Sequence, residues 1–385
     1  MRPEETRDLK ESSNTFDFIV IDHSLSLIFD IQEVLSLLRQ KSHRGTRLVI
    51  FNWNYLWAPF FSLLSLFNRA RKERIQNWLS PYDIQCLLHL SGHELIRHGF
   101  RLLFPFKIPV LTDFINVFLA KLPLINRLCL TQYFVARPLI SQRDEKLSVS
   151  VVVPVRNEKG NIETAIQRMP RLGSGTEIIF VEGHSKDGTW EEILRIQEKY
   201  GREWKMKAFR QRGEGKGDAV RRGFEESTGD ILMILDADLT VPPEELTKFY
   251  NAIVEGQGEM VMGSRLVYPL EKDSMRFVNI LGNKFFSLLL SWILEVPIKD
   301  TLCGTKALLQ KNYKKVQEGR KFFGDFDPFG DFDLIFGAAK LHLKILEIPI
   351  RYRARSYGQT NIRRFFHAGL LFKMSAYAFC KFKIV

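Results

Sequence analysis

Glycine is missing from the start of this chain, the first being Gly45. Backbone that must pass close to a nucleoside or a phosphate does so at glycine, so the amino-terminal stretch has no glycine-rich cofactor turn. Cysteine is scarce too: Cys86, Cys129, Cys303 and Cys380 are scattered, with no CxxC pair and no Cys/His set at zinc-ligand spacing. That argues against structural zinc and a disulfide framework and favours a reducing, cytosolic setting. Long apolar runs are lacking. The longest, 277–296, is broken by Asn279, Asn283, Lys284 and Glu295, which are costly at a bilayer centre, so no transmembrane helix is expected. Residues 1–14 are charged and have no apolar core of the signal-peptide kind, which leads us to expect a cytoplasmic chain.

What is present is length, apolar content and positive charge. With 385 residues, 45% of them hydrophobic, the chain is long enough for two domains with separate cores. The formal net charge of +12 fits nucleic acid, an anionic membrane or a phosphorylated substrate. Its distribution narrows the choice. Residues 340–385 hold ten Lys or Arg against the single acid Glu347, interleaved with Phe365, Phe366, Leu370, Leu371, Phe372, Tyr377 and Phe379. Basic and bulky apolar side chains together suit a membrane interface, and equally an ordinary core helix with a solvated basic face. No nucleic-acid recognition module is visible, so no nucleic-acid partner is expected.

The pattern along the chain divides into a first segment over 1–140, a short charged linker at Gln142-Arg143-Asp144-Glu145-Lys146, and a second domain over 147–385. The first segment reads as a strand over 18–21, a helix over 31–38 and a strand over 47–51, with a helix start at Ser80-Pro81 and a stop at Gly92. In the second, strands over 149–155, 177–181, 206–209 and 231–235 alternate with helices over 161–169, 189–200 and 216–227, the rhythm of a doubly wound, mostly parallel α/β sheet.

Ligands of such sheets bind at the carboxyl ends of the strands. Three of these ends are polar: Pro154-Val155-Arg156-Asn157-Glu158, Glu182-Gly183-His184-Ser185-Lys186-Asp187-Gly188-Thr189, and Asp236-Ala237-Asp238. Two carboxylates one residue apart at a strand end can share one hard divalent cation, which then bridges a diphosphate. An Asp-x-Asp alone is common and is more often a solvated turn. His23, His89, His93 and His98 share no ligand spacing and suit surface or core roles.

In order and spacing the set resembles the family 2 glycosyltransferases of GT-A fold, over about 230 residues, and most of all the dolichyl-phosphate mannose synthase and glucosyltransferase branch. Four further pieces carry the likeness: Gly215-Lys216-Gly217-Asp218-Ala219, Gly263-Ser264-Arg265, Asp300-Thr301-Leu302-Cys303-Gly304-Thr305-Lys306 and Arg355-Ser356-Tyr357-Gly358-Gln359-Thr360-Asn361. The resemblance implies a hexose donor carried on GDP or UDP, Mg²⁺ or Mn²⁺ as cofactor, and a polyprenyl phosphate acceptor. The enzyme would attach peripherally to the cytoplasmic face of a membrane. It also implies that Pro154, Arg156 and Glu158 line the nucleoside pocket, that Glu182 reads base or ribose, and that Ala237 lies against the donor. Asp236 and Asp238 would sit at the metal, Arg265 and Arg355 would grip phosphates, and Lys216 would add a point charge. The chain departs from many relatives in having Glu182-Gly183-His184-Ser185 where they carry Asp-Asp-Gly-Ser. It also has Asn361 where the synthases carry a phosphate-binding lysine, with Arg363 and Arg364 close behind.

The first segment resembles the latter half of a class I methyltransferase domain over roughly 120 residues. Lacking the glycine turn, it reads as a truncated remnant with a structural or docking role. For the second domain, a lipid phosphate acceptor needs no protein base, whereas a saccharide hydroxyl needs one. Asp331 and Asp333, in Phe329-Gly330-Asp331-Phe332-Asp333, are the candidates, and equally a helix-start pair. The phenylalanine-rich stretch 322–332 reads as a mobile acceptor loop or as packing, and 275–294 as a core helix. A noncatalytic membrane-associated scaffold is the alternative from another class.

Overall fold

The computed structural model describes residues 14–23, 25–67, 77–139, 146–268, 277–320, 330–355, 357 and 364–384. The chain divides into two compact units, the first formed by residues 1–140 with 382–385 and the second by 141–381.

The first unit is built on a four-stranded sheet in the order β1-β2-β4-β3. Its strands are β1 (Phe16–Asp22), β2 (Ser42–Trp53), β3 (His93–Arg101) and β4 (Thr131–Pro138). β1 and β2 are parallel, joined through helix α1 (Ile31–Gln40), whereas β4 runs antiparallel to both β2 and β3. Asp30 caps α1 by accepting from the Glu33 N–H at 2.8 Å. Three further helices follow, α2 (Ala58–Phe67), α3 (Pro81–Leu90) and α4 (Leu111–Val117). α3 opens at Ser80 and Pro81, and Ser80 and Asp83 form a reciprocal capping box that satisfies two otherwise orphaned donors. The unit's core gathers Leu25, Leu35, Leu48, Ile50, Leu88 and Phe134.

The second unit holds a seven-stranded sheet in the order β11-β9-β10-β8-β5-β6-β7. In chain order its elements are β5 (Val149–Val155), α5 (Ile162–Gln167), β6 (Thr176–Glu182), α6 (Thr189–Tyr200), β7 (Lys205–Arg210), α7 (Gly215–Glu225) and β8 (Ile231–Ile234). There follow α8 (Leu246–Val254), β9 (Met260–Ser264), α9 (Phe277–Leu294), β10 (Lys306–Leu309), α10 (Gln310–Glu318), α11 (Phe332–Lys340), β11 (Ile345–Pro349) and α12 (Arg364–Phe379). β10 is antiparallel to β8 and β9, and the remaining pairings are parallel. The fold is thus mixed α/β with a mostly parallel sheet.

β5 explains why the sheet sits where it does. Val151 and Val153 face one layer and Val152 the other, and all three are fully buried, as expected of a parallel strand covered on both faces. Gly223 lets α7 close on this strand: a Cβ there would meet Val152 Cγ1 at 2.3 Å. Close packing of α7 brings its amino-terminal end, with Lys216, toward the carboxyl ends of β5 and β8. The helix expected over 161–169 is shorter, beginning with a 3-10 turn at Lys159–Asn161 and ending at Gln167. Strands β9, β10 and β11 have no counterpart in the sequence reading.

Candidate active site

The carboxyl ends of β5, β6 and β8 lie side by side because their registers are fixed: Val155 pairs with Glu182, and Val152 with Ile234. Past these ends the chain turns sharply. Asn157 and His184 both take positive φ, 56° each, and the two loops lock together. The Asn157 N–H donates to Ser185 Oγ at 2.9 Å, and the Lys186 N–H donates to Asn157 Oδ1 at 2.9 Å. Glu182, nearly fully buried, accepts from the Ser185 N–H at 2.5 Å, so one of its oxygens is spent on shaping its own loop. Pro154 is half-buried and Arg156 exposed at the same rim.

Glu158 is buried and accepts from Asn161 Nδ2 at 2.7 Å and from Arg355 Nη1 at 2.7 Å. Burial raises its pKa above the ordinary carboxylate range, with Arg355 opposing. The same guanidinium reaches Asp238, Nη2 to Oδ2 at 2.7 Å. The other Asp238 oxygen accepts from the Thr240 hydroxyl at 2.8 Å. Arg355 therefore ties the end of β5 to the loop after β8 from a segment far along the chain, presenting a planar fork to two carboxylates at once.

Asp236 meets Lys216 from the start of α7, Oδ1 to Nζ at 2.5 Å. Burial alone would raise Asp236 and depress Lys216. Their mutual attraction wins, so the carboxyl is held below and the ammonium above its usual range. Ala237 between the two acids is buried. Gly304 closes this corner: a Cβ there would stand 2.2 Å from Asp236 Oδ2 and closer still to Lys216 Nζ, so only glycine lets the loop before β10 lie against the pair.

Behind this pair, fully buried Lys306 donates to Asp331 Oδ1 at 2.6 Å and to the Cys303 carbonyl at 2.5 Å. Asp333 lies 3.7 Å from Arg221 and 3.5 Å from Arg320. Both acids begin α11 and both are charge-paired. Arg265 is engaged elsewhere. Its Nε and Nη2 donate to the two oxygens of fully buried Asp300 at 2.7 and 2.8 Å, and Asn283 adds a third bond at 2.7 Å. Asp300 is held below its usual range by that guanidinium in spite of burial.

The structure thus forms two ion-paired groups at neighbouring strand ends, Glu158–Arg355–Asp238 and Lys216–Asp236, and sets Glu182 into the neighbouring loop. Arg265, expected at phosphates, is bound to Asp300 at the end of β9. Sequence reasoning missed Asn161, Gly304 and Lys306 as parts of the site. The last two lie within a quoted motif, but nothing in their type announced a role.

Among the described residues no group of three or more His, Cys, Asp or Glu is gathered for a metal. The residues that would hold one are the carboxylate pair Asp236 and Asp238. Hard oxygen donors in that number suit Mg²⁺ or Mn²⁺, ions held through one or two carboxylates with substrate phosphates completing the shell.

Residues 150–318, within the second unit, match the family model described as Glycosyl transferase family 2. The chain is 31% identical over 225 residues to a dolichol-phosphate mannosyltransferase of Pyrococcus furiosus, covering 56% of this chain and 60% of the relative. It is 34% identical over 112 residues to an undecaprenyl-phosphate 4-deoxy-4-formamido-L-arabinose transferase of Pseudomonas aeruginosa, covering 28% and 33%. The chain therefore spans less than two thirds of the length of these relatives. A solved glucosyl-3-phosphoglycerate synthase from Mycobacterium tuberculosis, in complex with Mn²⁺ and UDP, superposes with a TM-score of 0.45 at 20% identity, covering 62% of this chain and 80% of the other.

Proposed function

We propose that the second unit transfers a hexose from GDP or UDP to a polyprenyl phosphate at a membrane surface, with inversion at the anomeric carbon and dependence on Mg²⁺ or Mn²⁺. The observation that carries this reading is the convergence on Asp236 and Asp238 of two cations from distant segments, Lys216 and Arg355. Such a cluster of paired charges suits a diphosphate, which can accept from both cations while a divalent ion takes the carboxylates.

In this reading Pro154, Arg156, Glu158 and Glu182 border the nucleoside, and Ala237 supports the donor. Arg355 donates two parallel hydrogen bonds to phosphate oxygens, and Lys216 contributes a compact charge. Arg265, pinned on Asp300, supports the site from behind the phosphates. A bound Mg²⁺ or Mn²⁺ supplies charge neutralisation for the departing nucleoside diphosphate. The acceptor phosphate oxygen is anionic at neutral pH; it forms the new bond to the anomeric carbon as the bond to the diphosphate breaks. No protein base is needed for that step. A saccharide acceptor would need one, and the pairing of Asp331 with Lys306 and of Asp333 with two arginines disfavours either as a free base.

Membrane attachment is supported by α9. Leu281, Phe285 and Leu288 are exposed along it, and Phe285 and Phe286 both touch the ring of exposed Phe372 on α12. Exposed Lys373 lies next in sequence. Apolar side chains beside basic ones suit the headgroup layer of an anionic bilayer. Among the described residues no helix is long and apolar enough to cross a membrane. For the first unit we propose a structural or docking role as a partial methyltransferase-like sheet, a reading supported by its strand-helix-strand start with β1 parallel to β2.

The test is a donor screen: purified protein, Mn²⁺ or Mg²⁺, GDP- and UDP-hexoses and short-chain polyprenyl phosphate, with products read by mass. A hexosyl polyprenyl phosphate is expected. Transfer only to a saccharide, or to nothing with every donor, would contradict the proposal.

A further inference from the structure

Each of the two acids assigned to the metal is already met by a protein cation, Asp236 by Lys216 at 2.5 Å and Asp238 by Arg355 at 2.7 Å. A divalent ion approaching this pair meets the repulsion of both positive groups, in a site where charges act with little screening. Each protein cation has a second carboxylate to fall back on. Arg355 retains Glu158 at 2.7 Å when it leaves Asp238. Lys216 is also attracted by Asp331 and, less strongly, by Asp238, and Asp331 is fixed in place by Lys306 at 2.6 Å. Gly304 supplies no side chain to either partner and comes so close that the Lys216–Asp236 contact is confined to one corner.

We propose that Lys216 is an internal counter-ion which holds the metal's place on Asp236 until a nucleoside diphosphate arrives, so that metal and nucleotide bind as a coupled pair. The inference rests on the donor and metal reading above and adds to it an order of events. A metal ion alone has to displace the ammonium from Asp236 and, by neutralising Asp238 as well, leaves it chiefly with Asp331. When the diphosphate enters with the ion, the ammonium gains phosphate oxygens, and the exchange becomes favourable for all partners. By reciprocity the nucleotide tightens the metal by the same factor as the metal tightens the nucleotide. Asp331 then has a role other than general base: it is the resting partner of the displaced ammonium.

The test is Mn²⁺ binding to the full chain, followed by the electron paramagnetic resonance signal of free Mn²⁺, with no nucleotide, with UDP and with GDP. For the wild type, weak uptake of Mn²⁺ alone is expected, tightened about tenfold or more by one of the two nucleotides. In Lys216→Met, Mn²⁺ alone should bind about tenfold more tightly than in the wild type, and the nucleotide's enhancement should shrink about tenfold to the part that phosphate oxygens on the metal supply by themselves. Lys216→Gln provides the same loss of charge should the methionine variant not fold, and thermal melts establish which variants are native. Folded Met and Gln variants that take up Mn²⁺ no better than the wild type, while the wild type keeps its nucleotide enhancement, would overturn the counter-ion and leave the donor reading standing. A wild type that takes up no Mn²⁺ with either nucleotide would remove both.

Discussion

At the scale of single residues, the site depends on side chains that are absent as much as on those present. Gly304 is the clearest case, since a Cβ at this position would occupy the space of Asp236 Oδ2 and Lys216 Nζ. Gly304→Ala has to push that pair apart, at the cost of about 1–3 kcal/mol typical of overpacking. The displacement falls on the groups that would meet metal and diphosphate. Weaker binding of UDP or GDP in Mn²⁺ is expected, measured by titration calorimetry, together with a modest fall in melting temperature. Unchanged nucleotide affinity would show that the loop before β10 has room to yield. The acids were legible in the sequence because Asp-x-Asp at a strand end is a local pattern. Gly304 and Lys306 were not, because their roles come from β10 inserting between β8 and β9, a contact that no local spacing encodes. Arg265 illustrates the converse. Its type suggested a phosphate ligand, and the structure adds a partner that no local spacing announces: Asp300, from the loop ahead of β10, accepts from Nε and Nη2 along one edge of the guanidinium.

At the scale of elements, β5, β6 and β7 are held together at the ends away from the site by Glu177. This carboxylate is nearly fully buried and accepts from the Ser150 hydroxyl at 2.7 Å and the Thr228 N–H at 3.0 Å, with Lys207 at 2.9 Å and Lys205 at 3.0 Å. Burial alone would raise its pKa, but these donors outweigh it and hold the carboxyl down at about 2. With the folded value below the unfolded one, Glu177 stabilises the sheet above the ordinary glutamate range, about pH 4.3, and that contribution is lost as pH falls toward 2. Urea midpoints measured between pH 5 and 2 should therefore fall less steeply in Glu177→Gln than in the wild type; parallel slopes would assign the acid sensitivity elsewhere. The elements of this half of the sheet were readable in advance, because β5, β6 and β8 are dominated by apolar side chains and α6 has clear helical spacing. β9, β10 and β11 lie beyond the regular alternation read over 149–235, and β10 runs against its parallel rhythm. In the first unit, Ser80-Pro81 and Gly92 marked α3 correctly through cap chemistry alone. The phenylalanine-rich stretch lies largely, at 322–329, outside the described residues, as do the Asn361 and Arg363 positions.

At the scale of the whole molecule, the net charge of +12 is spent unevenly. Inside the second unit the cations Lys216, Lys306, Arg265 and Arg355 are each matched to a carboxylate, so the site is close to neutral before any ligand enters. In the sequence much of the surplus of positive charge lies in the last stretch, where residues 340–385 hold ten Lys or Arg against one acid. In the proposed function the charge-paired site would take the polyanionic donor and the basic stretch would face an anionic surface. The measurement that tests the account most directly is hexose transfer to polyprenyl phosphate in anionic vesicles with Mn²⁺, comparing wild type with Asp238→Asn by product mass. Loss of one carboxylate of the pair should remove several kcal/mol of stabilisation of the leaving diphosphate, a fall of about a hundredfold or more in rate. Transfer by Asp238→Asn at the wild-type rate would contradict the assignment of this site.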